Sequence, residues 1–350
     1  MRRILALAAV LGLLGVAHAE TNTPFAVDQW VLVRTGTQNI VGQLKDAPAG
    51  WLKVQPHGAA VVAIPISAVE SVTTSSAPVG PSLAALAGQD SAKWKLRSKH
   101  FLYGMPRILD DRYKFTPAGE TEEKIGISVL VREGFVVGHA DKYRVPLWVS
   151  MQWTRDDYLR SEDEQSYGRP FAEDEELPPY ARAGTSYNWT VTGLDRGHMA
   201  RHKDNRAWGE DNSDAGCLMS NVAPQKSSLN QYAWLSIEDE HRDIVNKQSA
   251  GITRLWVISG TIFDQGVAVE KVNDIGVPHA TYKVIGWFKD STFHCRGYIL
   301  KQTDSKRDPK KYLVSVDTVE QRTGLDFFSE LDDAIEDAAE AETATTLWGD

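Results

Sequence analysis

Cysteine is nearly absent: Cys217 and Cys295 are the only two in 350 residues. A scaffold stapled by several disulfides is therefore excluded. The pair could form one bridge in an oxidising compartment or remain two buried thiols. Positive charge is also short, with 38 Lys and Arg against 47 Asp and Glu and a formal net charge of −9. A chain basic throughout is excluded, and any polyanion would need a local patch of Lys and Arg to hold its phosphates. No long apolar run follows residue 19, so no later segment suits a membrane-spanning helix. No internal repeat is present, and the clustered Asp and His ligands expected of a two-metal phosphoesterase are missing.

The first nineteen residues do form an apolar run. Arg2 and Arg3 precede "ILALAAVLGLLGVA", and small residues close the segment at Ala19. This is the pattern of a cleaved signal peptide over 1–19. It predicts export to the periplasm or the medium, with no integral membrane segment left after cleavage. Part of the acidic excess sits in the tail over 331–350, within "ELDDAIEDAAEAE". That stretch reads as a solvated helix or a disordered end.

The predicted fold class is α+β. Residues 28–74 hold five short β-branched runs divided by Gly, Pro and Asn turns, which suggests a small all-β, SH3-like domain. It could bind cell envelope or a protein partner. A Ser-, Ala-, Pro- and Gly-rich linker covers 75–93. The second domain, 94–330, has strands predicted in 126–141, 145–154, 254–263 and 280–288. A long polar connection runs over 159–188, and the clearest helix is at 227–248. Together these give a mixed sheet with helices.

Chemistry concentrates in two stretches. In "DRGH", Asp195 to His198, a histidine can take a proton from water. Arg196 offers a fork of donors suited to phosphate oxygens. Gly197 permits a tight turn or a close backbone approach. A polar surface turn accounts for the same four residues. In "MSNVAPQKSSLNQYAWLSIEDEHR", Asn230 lies in the first turn of the predicted helix, where its amide oxygen can ligate a hard cation. Glu238 is eight residues on, about 12 Å of rise and roughly 80° of rotation along a continuous α-helix. It suits an outer acceptor for water around the ion. Arg242 is four residues further, so an i,i+4 pair with Glu238 is the plainer alternative.

These motifs, in this order, resemble the DNA/RNA non-specific endonuclease family of ββα-metal nucleases, which includes secreted sugar-non-specific nucleases and endonuclease G. The likeness extends over about 100–330 and takes in "VREGFVVGHAD", "GRPFAEDEEL", "VISGTIF" and "VSVDTVEQRTGLDFF". It implies a ββα-metal nuclease domain acting on DNA and RNA with Mg²⁺, for which Mn²⁺ could substitute. It implies His198 as general base, Asn230 as the metal ligand and Glu238 as holder of water near the metal. Arg169 and Arg196 would stabilise charge at the reacting phosphate, and Arg242 would contact the substrate. Asp195, Asn221 and Gln225 match motif positions at or near the substrate. Many members carry Pro where this chain has Arg201, which begins the basic run "RHK" and could meet phosphate. A non-catalytic nucleic-acid or envelope-binding protein on the same fold is the alternative.

Overall fold

The computed structural model describes side chains over 125–163, 170–185, 193–248, 251–289 and 292–343, with 100, 103, 105–109 and 113; the remaining described strand residues are given as backbone. Arg169, residues 1–19 and the linker 75–93 fall outside the described residues. Residues up to Asp90 and residues from Ser91 to Ser329 belong to two separate compact units.

The first unit holds β1 (Trp30–Thr35), β2 (Asn39–Asp46), β3 (Trp51–Pro56), β4 (Val62–Pro65) and β5 (Val69–Thr74). They form one antiparallel sheet in the order β4-β3-β2-β1-β5. All five lie within the stretch expected to be all-β.

The second unit begins with β6 (Arg107–Ile108), β7 (Tyr113–Phe115), β8 (Ile125–Val131), β9 (Val136–Ala140) and β10 (Val145–Thr154). Helix α1 (Arg155–Asp163) follows directly, taking the first residues of the expected polar connection. Strand β11 (Leu194–His198) leads through α2 (His202–Asn205) and α3 (Glu210–Gly216) to β12 (Val222–Lys226). A π-helical turn, Leu229–Trp234, runs into α4 (Leu235–Lys247). The chain then forms β13 (Arg254–Ile262), β14 (Lys271–Val272), β15 (Ile275–Gly276), β16 (Ala280–Lys289), β17 (Thr292–Lys301) and β18 (Leu313–Val314). It ends with α5 (Val316–Thr323), β19 (Leu325–Asp326) and α6 (Asp333–Glu340).

Eight strands make the main sheet, in the order β18-β17-β16-β13-β10-β9-β8-β7. Only β7–β8 is parallel among its pairs. The sheet is therefore mixed, as expected. Nine of the ten residues of β10 are buried, which explains why "VPLWVSMQWT" is apolar without alternation: both of its faces are covered. Val149, Met151 and Trp153 of β10, with Ile285 and Trp287 of β16, pack with Trp234, Ile237 and Val245 in one core. Helix α5 packs on β13, β16 and β17, burying Val316 and Val319. Burial of each such aliphatic or aromatic side chain contributes about 1.5–3 kcal/mol.

Three local expectations are corrected. "LDRGH" is a strand, paired antiparallel with β12 from Leu194↔Lys226 to His198↔Val222, rather than a turn. Within the acidic tail, Asp333–Glu340 forms the expected helix, α6, but it is docked instead of solvated, with Glu336, Ala339 and Glu340 buried. Cys217 and Cys295 are free and buried, so the disulfide alternative falls. Among the described residues no helix is long and apolar enough to cross a membrane.

Candidate active site

Strands β11 and β12 form a two-stranded ribbon, and the helix that follows β12 packs beside it. The ribbon and the helix together line a cleft of about 310 Å³. His198 comes from the end of β11 and Asn230 from the π-helical turn. Glu238 comes from α4, and Arg201, His202, Lys203 and Arg206 form a basic rim.

The π turn explains how Asn230 and Glu238 share this cleft. A continuous α-helix would set them roughly 80° apart. A π segment bonds i to i+5 and so spends one additional residue on its turn. That returns about 100° of phase and leaves the two within roughly 20° of one face. The expected continuous helix is thus corrected, and the correction is what unites the pair.

Asp195 fixes the orientation of Asn230. Its Oδ2 accepts from Asn230 Nδ2 at 3.0 Å and from Gln231 Nε2 at 2.9 Å, and its Oδ1 accepts from Ser227 Oγ at 2.6 Å. A carboxylate can only accept, so the Asn230 amide must turn its nitrogen to Asp195 and keep its oxygen for the cleft. Burial pushes the Asp195 carboxyl up, but the three donors outweigh it and hold the group below the usual carboxylate range. Asp195 is thereby committed to Ser227, Asn230 and Gln231 within the protein.

The Nε2 of His198 is buried and, among the described residues, has no hydrogen-bond partner. Burial, together with the neighbouring His202 charge, lowers its pKa to about 4, so the imidazole is neutral at pH 7. The ring lies 5.3 Å from Phe171 and 6.0 Å from His202, centroid to centroid. Its carbonyl accepts from Trp234 Nε1 at 3.2 Å, which ties the ribbon end to the π turn. Arg196, two residues back on the same strand face, lies over Phe171 at 5.0 Å and donates to the Thr185 carbonyl at 3.3 Å.

Glu238 is buried, which pushes its carboxyl up, while Arg201 and Lys283 oppose that shift. Arg201 Nε stands 3.7 Å from Glu238 Oε2, and its Nη1 donates to Asp239 at 2.7 Å. Lys283 was not singled out in the sequence. It is fully buried on β16, lies 4.4 Å from the Trp234 ring centroid and donates to Ser259 Oγ at 2.8 Å. Burial pulls its pKa down to about 8 against the pull of Glu238. Alternation could have found it, since Lys283 shares a strand face with Ile285 and Trp287.

Three other expectations change. Arg242 neither lines the cleft nor pairs with Glu238. It is 4% exposed, pairs with Asp204, and donates to Glu162 at 2.6 Å and Ser161 at 3.0 Å. Its guanidinium lies over Trp153 and Tyr158, so it braces α4 against α1 and α2 instead of contacting substrate. Asn221 is fully buried and clasps Ala200, accepting from its N–H and donating to its carbonyl, both at 2.8 Å. Gln225 is likewise buried; it pairs with Asp195 in the ribbon and its side chain runs diagonally over Gly197. A Cβ on Gly197 would fall 1.8 Å from Gln225 Oε1. Gly197 therefore makes room for Gln225 within a strand and is not a turn.

The sequence profile of the DNA/RNA non-specific endonuclease family matches residues 118–334. The chain belongs to that family. A nuclease of Nostoc sp. is 26% identical over 237 residues, covering 64% of this chain and 82% of the relative. Human mitochondrial endonuclease G is 28% identical over 214 residues, 56% of this chain and 68% of the relative. The Serratia marcescens nuclease is 27% identical over 217 residues, 59% and 77%. A solved EndoG/EndoGI complex superposes with a TM-score of 0.55 at 24% identity, over 67% of this chain and 92% of that one. That likeness shows the fold.

The family is divalent-metal dependent, and the residues here fit such an ion. The Asn230 amide oxygen is held for the cleft by Asp195, and the buried Glu238 carboxylate lines the same space. Both are hard oxygen donors. The family's usual proline position is also compatible with this backbone: Arg201 has φ −56, within the range proline imposes.

Gly197→Ala should displace Gln225, destabilise the fold by about 1–3 kcal/mol and lower nuclease activity about tenfold or more. The double variant Gly197→Ala/Gln225→Ala should recover part of both losses in urea unfolding and in turnover. No recovery would mean that Gly197 matters for something other than space.

Proposed function

We propose that this chain is an exported, Mg²⁺-dependent endonuclease that hydrolyses phosphodiester bonds of DNA and RNA with little sequence preference. The observation that carries the reading is a buried, unpartnered His198 Nε2 in one cleft with the held Asn230 amide. Asn230 would hold the ion through its amide oxygen, and Glu238 would accept from water around it. When bound, the ion supplies polarisation of the phosphate and stabilises the leaving oxygen.

His198 takes a proton from water, and the water oxygen forms a bond to phosphorus as the ester P–O bond breaks. Arg196 and Arg201 stabilise the charge that gathers on phosphate oxygens. The basic rim offers contacts to phosphate, and phosphate contacts carry little sequence information. The signal-like residues 1–19 support export to the periplasm or medium. The five-stranded N-terminal unit is taken as SH3-like, with cell envelope or a protein as its partner.

Plasmid DNA and RNA should both be cut with Mg²⁺, and chelator should stop both reactions. His198→Ala should lose about 10²–10⁴-fold in kcat/KM with an unchanged circular dichroism spectrum. Inert wild type across Mg²⁺, Mn²⁺ and Ca²⁺ would instead leave a non-catalytic binding protein. Since the His198 pKa is depressed, its neutral form persists above it and is lost as pH falls. The kcat/KM controlled by this group should hold from pH 7 to about 5 and decline towards pH 4.

Arg201→Pro should fold and remain active, because the backbone already suits proline. It should raise KM for nucleic acid at low salt and flatten the salt dependence by about one phosphate contact. An unchanged salt slope would remove Arg201 from the substrate surface.

A further inference from the structure

Helix α6 is docked with acidic residues inward. Glu336 and Glu340 are buried while Ile335 is 47% exposed, the reverse of what apolar burial alone selects. The α5 surface near it is also acidic. Asp317 and Glu320 stand three residues apart on α5 and so share a helix face. One carboxylate oxygen from each of Asp317, Glu320 and Glu340 lies within 4.8 Å of the other two.

Glu340 is 3% exposed, and its Oε1 is buried with no hydrogen-bond partner. Among the described residues, no Lys or Arg forms an ion pair with any of the three. Arg107 pairs with Asp326, and Arg296 reaches Glu342 at 3.6 Å. Burial and the surrounding carboxylates push Glu340 up to about 10 and Glu320 up to about 8. Carboxylates packed in this way must either hold protons or share a cation.

We propose that Asp317, Glu320 and Glu340 bind a hard divalent cation, Ca²⁺ in preference to Mg²⁺, which clamps α6 onto α5. Two oxygens each about 2.4 Å from a shared Ca²⁺ can be at most about 4.8 Å apart, which suits the observed spacing. Asp317 is exposed, so its side of the site is open to the waters that complete a shell of 6–8 oxygens. Mg²⁺ demands a smaller and stricter octahedron. None of the three carboxylates lines the His198 cleft, so this site is separate from the one at Asn230.

The test uses the full chain with Asn230→Ala, so that the cleft's own ligand is removed. Calorimetric titration with CaCl₂ should show one Ca²⁺ per chain, and saturating Ca²⁺ should raise Tm by about 5 °C or more over EGTA. Adding Glu340→Gln should abolish both effects. In EGTA it should melt above its parent, because an amide is neutral without the proton that the buried Glu340 carboxyl must take up on folding. Asp317→Asn, at an exposed position, should fold normally and weaken Ca²⁺ binding at least tenfold. Equal binding and equal Tm shifts in parent and variants would overturn the site. So would an absence of binding with a Tm that falls as pH rises above 7 regardless of Ca²⁺, which would mean that protons alone neutralise the cluster.

Discussion

The carboxylate of Asp195 is the joint on which the site depends. It takes donors from Ser227, Asn230 and Gln231, and so fastens the first ribbon strand to the π-helical turn. Without that acceptor the Asn230 amide would have no reason to present oxygen instead of nitrogen. The register from Leu194↔Lys226 to His198↔Val222 then places His198 at the ribbon end, where Trp234 bonds its carbonyl. Orientation of the Asn230 amide and placement of His198 follow from one short network between neighbouring elements.

A second network holds the rim. The pair of Arg242 with Asp204 is almost wholly buried, and Glu162 joins Arg242 to Lys203 at 2.5 Å from the lysine. Breaking a buried pair by removing one partner costs about 3–5 kcal/mol, since the other charge is left without compensation. The segment that carries Arg201, His202 and Lys203 is thus anchored by the charges of Asp204, Glu162 and Arg242. This is how a chain with a net charge of −9 presents a cationic rim: the acids stand behind the bases and position them.

What the sequence made legible depended on whether burial was one-sided or complete and on whether polar residues repeated a pattern. Strands β10 and β16 were plain because two covered faces demand unbroken apolar sequence. The ribbon was not, because "LDRGH" has two charges, a glycine and a histidine where a strand would show alternation, and the need for Gly197 arises from the Gln225 side chain lying diagonally over it. The π turn leaves no trace in composition, being a matter of one residue of phase. Arg242 read as a phosphate contact because an arginine in a buried ion network and one in an active site have the same letters around them. Lys283 was readable by position in its strand and was passed over as part of an apolar run.

The cleft leaves several polar groups under tension, and their common cause is burial. His198 lacks a partner at Nε2, Glu238 is pushed towards its neutral form, and Lys283 is pulled towards its own. Each departs from its preferred state in a direction that an incoming charge would alter. Arg201 sits between the two sides of this balance, 3.7 Å from Glu238 and 2.7 Å from Asp239. For Arg201 to meet a phosphate it must share a guanidinium already claimed by two carboxylates, so substrate competes with Glu238 for the same cation. A proline at this position would remove that competition and the attraction together. Under the proposed function the arginine would add pull on a polyanion at a distance, while Glu238 and Asp239 would hold its guanidinium back at contact.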